Sequence, residues 1–128
     1  MNIIQDIIDL KKKHNLLEDD ATDEKQREWY GFAIQSGLVI TYYANNELKG
    51  FCEFVKLIKL PNTLDDVYNL VTDYKTGDVC FVSNCIAEDS KILWELKRIL
   101  FALNRGVNYF VWHRKKYKSL FKNRRINA

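Results

Sequence analysis

The pattern of apolar and polar positions is clearest over residues 77–114, where it predicts a strand, a helix and a second strand. Residues 79–86 are apolar at nearly every position, which is typical of a strand that is covered on both faces. Residues 90–104 then carry apolar side chains at helical spacing, and Gly106 can end that helix in the left-handed conformation. A second apolar strand follows over residues 107–112. Two strands that are joined by one helix should lie parallel, with a right-handed crossover.

The first 37 residues predict two helices. Residues 2–14 carry isoleucine on one face and end in three lysines, whose positive charge is favourable at the carbonyl end of a helix. Thr22 can cap a second helix that continues to about Gln35. The charged run 23–28 then forms the solvated first turns of that second helix.

Residues 38–60 predict a hairpin with a turn at Asn45-Asn46-Glu47, because asparagine tolerates a positive φ. Neither set of alternating positions in the second strand is purely apolar, so the pattern does not show which face is inward. Pro61 ends this strand, and Thr63 with Asp66 matches the capping box of a further helix that ends near Lys75.

The C-terminal segment, residues 115–128, is basic. From Leu103 onward the chain has eight lysines and arginines and no acidic residue. Residues 117–125 predict a short basic helix, which is typical of a solvated surface. Cations interleaved with aromatic residues also suit nucleic-acid binding, although no helix-turn-helix, zinc-finger or RNA-recognition signature is present. The residues that would contact phosphates are Arg114, Lys115, Lys116, Lys118, Lys122, Arg124 and Arg125.

Composition narrows the class of protein. At 128 residues the chain is expected to form one domain, and 47% hydrophobic residues argue against disorder. Asp6 and Asp9 interrupt the N-terminal apolar stretch, so it does not match a secretory signal. Cys52, Cys80 and Cys85 are odd in number and show no zinc-binding spacing, which predicts reduced core thiols, no metal site and a cytoplasmic protein.

Three stretches resemble the GCN5-related N-acetyltransferase (GNAT) family, over roughly residues 38–125. Residues 39–54 resemble that family's hairpin, and residues 79–87 followed by 92–103 resemble its fourth strand and the helix after it. Residues 114–121 have the spacing of its N-x-x-A-x-x-L-Y segment. The resemblance implies one α/β domain with a mixed sheet around a parallel strand–helix–strand unit flanked by helices. Glycine-poor members of this kind are found in phages and among toxin-activating acyltransferases.

The same resemblance implies an acetyl-coenzyme A site. The acyl end would lie against the backbone of Asn84, Cys85 and Ile86, and the phosphate end against Ser90 and Lys91. Two residues are candidate catalytic residues, the first of them as the acceptor of a proton from an amine substrate, and both are also compatible with ordinary structural roles. They are Glu53 in the hairpin and His113 after the last apolar strand.

The chain departs from the family pattern at several positions. The loop Ala87-Glu-Asp-Ser-Lys91 has no glycine, Phe121 stands where the family often has a tyrosine, and the family's first strand is missing. The predicted function is therefore an acyl-coenzyme A-dependent N-acyltransferase or a degenerate relative of one. The alternatives are a non-catalytic adaptor with this fold or a nucleic-acid-binding protein that uses the basic C-terminal segment.

Overall fold

The computed structural model of the protein describes residues 2–16, 22–114 and 119–124, and describes side chains as far as residue 112. The elements run in the order α1 (Ile3–Lys13), α2 (Asp23–Gln35), β1 (Val39–Ala44), β2 (Glu47–Leu57), a 3₁₀ helix (Leu64–Leu70), β3 (Val79–Ala87), α3 (Ser90–Leu103), β4 (Tyr109–Arg114) and β5 (Ser119–Arg124).

The five strands form one mixed sheet in the order β1-β2-β3-β4-β5. β3 and β4 are parallel neighbours, with Val79 opposite Tyr109, and the other neighbouring pairs are antiparallel. The predicted α/β class, the hairpin and the parallel strand–helix–strand unit are therefore confirmed. β4 begins at Tyr109 rather than at Val107.

Helices cover both faces of the sheet. On one face α3 buries Ile92, Leu96 and Leu100 against the strands. On the other face lie α1, α2 and the 3₁₀ helix. β2 is an interior strand and is buried on both faces from Gly50 to Val55, which explains why its sequence shows no purely apolar alternation.

One glycine allows α3 to approach the sheet. A Cβ built on Gly50 would lie 2.8 Å from the carbonyl oxygen of Ile86 and 2.8 Å from Cγ2 of Ile92. Both distances are shorter than normal van der Waals contact. Glycine at this position therefore permits β2, β3 and α3 to pack at their observed separation.

The N-terminal helices begin as their caps predict. The side chain of Asn2 accepts a hydrogen bond from the Gln5 amide, and the side chain of Thr22 accepts one from the Lys25 amide at 3.2 Å. The predicted cap at Thr22 is confirmed.

The helix predicted to end near Lys75 is shorter than expected. It is a 3₁₀ helix that ends at Leu70, although Asp66 does accept the predicted hydrogen bond from the Thr63 amide at 3.1 Å. The chain beyond it turns back to β2, where the carbonyls of Leu70 and Tyr74 accept hydrogen bonds from the amides of Ile58 and Lys56. These bonds satisfy the end of β2, and a longer helix would withdraw its carbonyls from them.

The basic helix predicted over residues 117–125 is wrong. Residues 119–124 instead form strand β5, antiparallel to β4, with Arg124 opposite Tyr109. This pairing satisfies the outer backbone edge of β4, whereas a helix with so short an apolar stripe would leave that edge unpaired. Residues 115–118 and 125–128, which include much of the predicted nucleic-acid surface, lie outside the described residues. Within the described part, no helix is long and apolar enough to span a membrane.

A hydrogen bond between β1 and α1 gives a pH-dependent signal. The hydroxyl of Tyr43 donates to Asp6 at 2.8 Å. Burial, and then the Asp6 carboxylate, raise the pKa of Tyr43 to about 12. Because the folded pKa exceeds the unfolded one, the stability that this group contributes is complete below about pH 10 and is lost as the pH rises towards 12.

We expect one phenol of the native protein to titrate near pH 12 in an ultraviolet absorbance titration. Tyr43→Phe should remove this titration, and Asp6→Asn should lower its midpoint. A midpoint that Asp6→Asn leaves unchanged would contradict the assignment.

Candidate functional site

β3 and β4 part at their carboxyl ends. The paired register stops at Val82 opposite Trp112, whereas β3 continues to Ala87 and β4 to Arg114. We call the space beyond this last pair the strand gap. Ligands of open α/β sheets often bind beside the carboxyl ends of parallel strands.

A β-bulge lies at the start of the strand gap. Glu53 is opposite Asn84 and the next residue, Phe54, is opposite Val82, so Ser83 is an extra residue in β3. One extra residue reverses the alternation of side chains along the strand. Ser83 and Asn84 therefore both lie on the face of the sheet that carries Glu53.

The carboxylate of Glu53 is the centre of a buried polar cluster. Its side chain is 3% exposed. Oε1 accepts hydrogen bonds from Ser83 Oγ at 3.0 Å and from Asn84 Nδ2, and Oε2 accepts one from Trp29 Nε1 at 2.9 Å. These three donors offset the cost of removing a carboxylate from water.

A cavity of about 410 Å³ adjoins this cluster and is lined by residues of α1, α2, the 3₁₀ helix and the sheet. We call it the α1–α2 cavity. Five aromatic residues contribute to its walls, namely Trp29, Tyr30, Tyr68, Tyr74 and Phe81. The polar groups that line it are those of Lys11, Lys25, Gln26, Glu53, Ser83 and Asn84.

Two buried oxygen atoms of this cavity have no donor among the described residues. They are Oδ1 of Asn84 and Oε1 of Gln26. Glu53 fixes the orientation of the Asn84 amide, since a flipped amide would place two oxygens together. Asn84 is only 7% exposed, so its oxygen is a buried acceptor of a residue that lines the cavity.

The two lysines of the cavity occupy different environments. Lys11 is 3% exposed, and its Nζ donates to the hydroxyl of Tyr30 at 3.0 Å. Lys25 is exposed in the first turn of α2. Positive charge therefore lies on the helical side of the cavity, away from the acceptor oxygens on the sheet.

The opposite face of the strand gap carries a pair of thiols. Cys52 and Cys85 face each other across β2 and β3, and Cys85 and Trp112 both pack against the core cluster on the α3 side of the sheet. The pKa of the Cys85 thiol is lowered, first by its hydrogen bond with Cys52, whereas that bond and burial raise the pKa of Cys52. The described cysteines are free, as predicted, but the sequence did not reveal that two of them would be cross-strand partners.

Trp112 adds a buried donor on the same side. Its Nε1–H has no acceptor among the described residues, and Nζ of Lys97 lies 5.3 Å from the ring centre. A hydrogen-bond donor at the last paired position of β4 suits a ligand that brings a carbonyl oxygen into the strand gap.

The predicted phosphate end differs from a glycine-rich loop. Ser90 and Lys91 are exposed in the first turn of α3, and the side chain of Asp89 accepts the amide of Ile92 at 2.9 Å. One of the amides that could face an anion is therefore already satisfied.

Lysines offset the negative charge in this loop. Glu88 pairs with Lys13 at 2.6 Å and with Lys49 at 3.5 Å. The hydrogen bond from Lys13 is the main cause that lowers the pKa of Glu88. Glu88 is therefore less able to repel a phosphate than the sequence alone indicates.

The structure brings Glu53 and Asn84 into one cluster, with Cys85 and Ile86 following along β3. Their predicted roles stay predictions. The backbone of His113 lies in β4, but its side chain is outside the described part. Sequence reasoning missed Ser83, because the bulge that turns it towards Glu53 arises from pairing between strands.

The fold matches solved structures, although no family model and no curated protein matches the chain. The loading GNATL domain of CurA from Lyngbya majuscula superposes with a TM-score of 0.60 at 16% identity, covering 85% of this chain and 58% of that one. The GphF GNAT-like decarboxylase in complex with isobutyryl-CoA superposes with a TM-score of 0.61 at 9% identity, covering 85% of this chain and 60% of that one. This chain has a GNAT-like fold.

A predicted acetyltransferase with acetyl-CoA from Clostridium acetobutylicum gives a TM-score of 0.57 at 16% identity, covering 90% of this chain and 77% of that one. The chain spans about three-fifths of the length of the first two matches. The predicted GNAT-like α/β fold is thus confirmed. Sequence identities this low support a similarity of fold and nothing further.

Removal of the Glu53 carboxylate should strongly destabilise this GNAT-like domain. Glu53→Ala leaves the donors of Ser83, Asn84 and Trp29 without their acceptor, and we expect a loss of about 3 kcal/mol or more in urea denaturation. Glu53→Gln keeps one acceptor oxygen but places its NH₂ group against the indole N–H of Trp29, so that two donors face each other. This variant should lose about 1–2 kcal/mol of the free energy of unfolding.

The matched control is Glu47→Ala in the same strand. Glu47 is exposed and pairs only with Lys49 among the described residues, so its loss should cost less than about 0.5 kcal/mol. Equal losses for Glu53→Ala and Glu47→Ala would contradict the view that the buried cluster stabilises the sheet.

Proposed function

We propose that the protein binds an acyl-coenzyme A at the strand gap and transfers its acyl group to an amine. The observation that carries this proposal is the parting of β3 and β4 beyond Val82 and Trp112, in a chain with a GNAT-like fold. Two of the similar structures contain acyl-coenzyme A ligands, isobutyryl-CoA in one and acetyl-CoA in the other. A thioester supplies an activated carbonyl carbon that an amine can attack.

The residues at the strand gap fit the acyl end of such a donor. In this proposal backbone N–H groups near Asn84, Cys85 and Ile86 in β3 would polarise the carbonyl, and the indole N–H of Trp112 is a further buried donor without an acceptor among the described residues. At the other end Lys91, rather than a glycine-rich loop, would contact the phosphates. The Asp89 cap leaves fewer amides for this purpose.

The α1–α2 cavity is the proposed acceptor side. Glu53 lines this cavity and lies opposite the bulge in β3, next to the strand gap. As the amine nitrogen forms its bond to the carbonyl carbon and the carbon–sulfur bond breaks, the nitrogen must lose a proton. The Glu53 carboxylate is the proposed acceptor of that proton, directly or through water, and His113 is the alternative base from the sequence.

A degenerate GNAT-like protein that no longer transfers an acyl group is the second candidate. The occupied amide of Ile92 and the absence of glycine from residues 87–91 favour it. Binding of nucleic acid remains a proposal of the sequence, since the side chains of the basic C-terminal segment lie outside the described part.

A thermal-shift titration with coenzyme A and acetyl-coenzyme A tests the donor site. At a hundred times its dissociation constant a ligand stabilises a fold by about 2.7 kcal/mol, which corresponds to a shift of several degrees. Lys91→Glu should weaken binding about tenfold, because it places negative charge near the phosphates.

Lys75→Glu is the charge-matched control for Lys91→Glu. Lys75 follows Tyr74, whose carbonyl bonds to Lys56 near the far end of β2. Its charge reversal should leave the dissociation constant unchanged. No shift at millimolar ligand, or equal effects of the two variants, would contradict a donor site at the strand gap.

A further inference from the structure

The polar groups on the sheet side of the α1–α2 cavity are short of hydrogen-bond donors. An ionised carboxylate offers about four acceptor positions. Oε1 of Glu53 receives Ser83 and Asn84, whereas Oε2 receives Trp29 alone among the described donors. One position on Oε2 is therefore left.

Asn84 and Gln26 add to this excess of acceptors. Three side-chain atoms of the described residues are buried without a partner, and two of them, Asn84 Oδ1 and Gln26 Oε1, belong to residues that line this cavity. Both are oxygens. A buried acceptor without a donor costs free energy, so a ligand that carries N–H groups is favoured over one that carries acceptors.

The apolar walls of the cavity determine which kind of group can accompany the N–H donors in a ligand. Trp29 and Tyr74 contact each other edge to face, with ring centres 5.4 Å apart, and Phe81 and Val55 form the adjacent floor. Aromatic and aliphatic walls with a few convergent polar atoms are typical of sites for small organic molecules. A flat apolar body would pack against these walls.

The lysines limit the number of positive charges that a ligand of this cavity can carry. Lys11 and Lys25 both line the cavity on its helical side, opposite Glu53 and Asn84. A ligand with one amino group can direct it to the acceptor oxygens. A diamine or polyamine would bring its second charge towards the lysines, and like charges repel.

We infer that the α1–α2 cavity binds a small monoamine with an aromatic or apolar body, whose amino group donates to Asn84 and Glu53. The acylation of this amine rests on the proposed function, but its binding does not. The inference can therefore be tested without any coenzyme A.

Calorimetric titration of the full chain with 2-phenylethylamine, 2-phenylethanol and spermidine provides the test. We expect 2-phenylethylamine to bind, the alcohol to bind at least tenfold more weakly because it brings fewer donors, and spermidine to bind more weakly still. Lys25→Glu should raise the affinity for spermidine, because it replaces a repelling charge by an attracting one.

Two variants test whether the ligand binds in the cavity. Asn84→Ala should weaken the binding of 2-phenylethylamine at least tenfold. Because Asn84 also supports Glu53, a second variant, Leu64→Trp, fills the cavity from its partly exposed edge and should abolish binding. Its control is Leu103→Trp at the end of α3, where leucine is 62% exposed, and which should bind normally.

The outcomes separate this inference from the proposed function. Amine binding without any coenzyme A binding would support the amine site in the cavity and contradict the proposed acyltransferase function. Coenzyme A binding with no response to the amine would leave the donor site and overturn the inference. Equal binding of the amine and the alcohol, or normal amine binding by Leu64→Trp, would also overturn it.

Discussion

A carboxylate in the middle of a sheet requires hydrogen-bond donors, and the donors of Glu53 come from separate parts of the chain. Trp29 reaches it from α2, and Ser83 and Asn84 reach it from β3. The position of α2 over the sheet and the bulge in β3 are therefore coupled through one charged group. This coupling also explains why a charged side chain is tolerated between the buried residues Cys52 and Phe54.

The bulge at Ser83 also divides β3 into two functional halves. Before it, the alternation of side chains serves packing, with Phe81 towards the 3₁₀ helix and Val82 towards α3. After it, Asn84 lies on the cavity face and Cys85 on the α3 face. The strand loses its partner β4 in the same region, so irregular pairing on both edges coincides where a reaction site is proposed.

Local patterns predicted the elements that they determine by themselves. The apolar run of β3, the amphipathic spacing of α3 and the cap at Thr22 depend on neighbouring residues, and all were predicted correctly. The strand at residues 119–124 was not, because its conformation is set by the free edge of β4 rather than by its own short pattern. Local propensity is a weak guide where a distant partner supplies the backbone hydrogen bonds.

The candidate site shows the same limit at the level of side chains. Glu53 and Asn84 were both selected from the sequence, but for different roles and without any sign that they touch. Their contact depends on the register of β2 against β3, and a shift of one residue would send Asn84 to the other face. Register is a property of the assembled sheet. Candidate residue types can therefore be selected from a single sequence, whereas the face of the sheet on which each side chain lies depends on where the bulge falls.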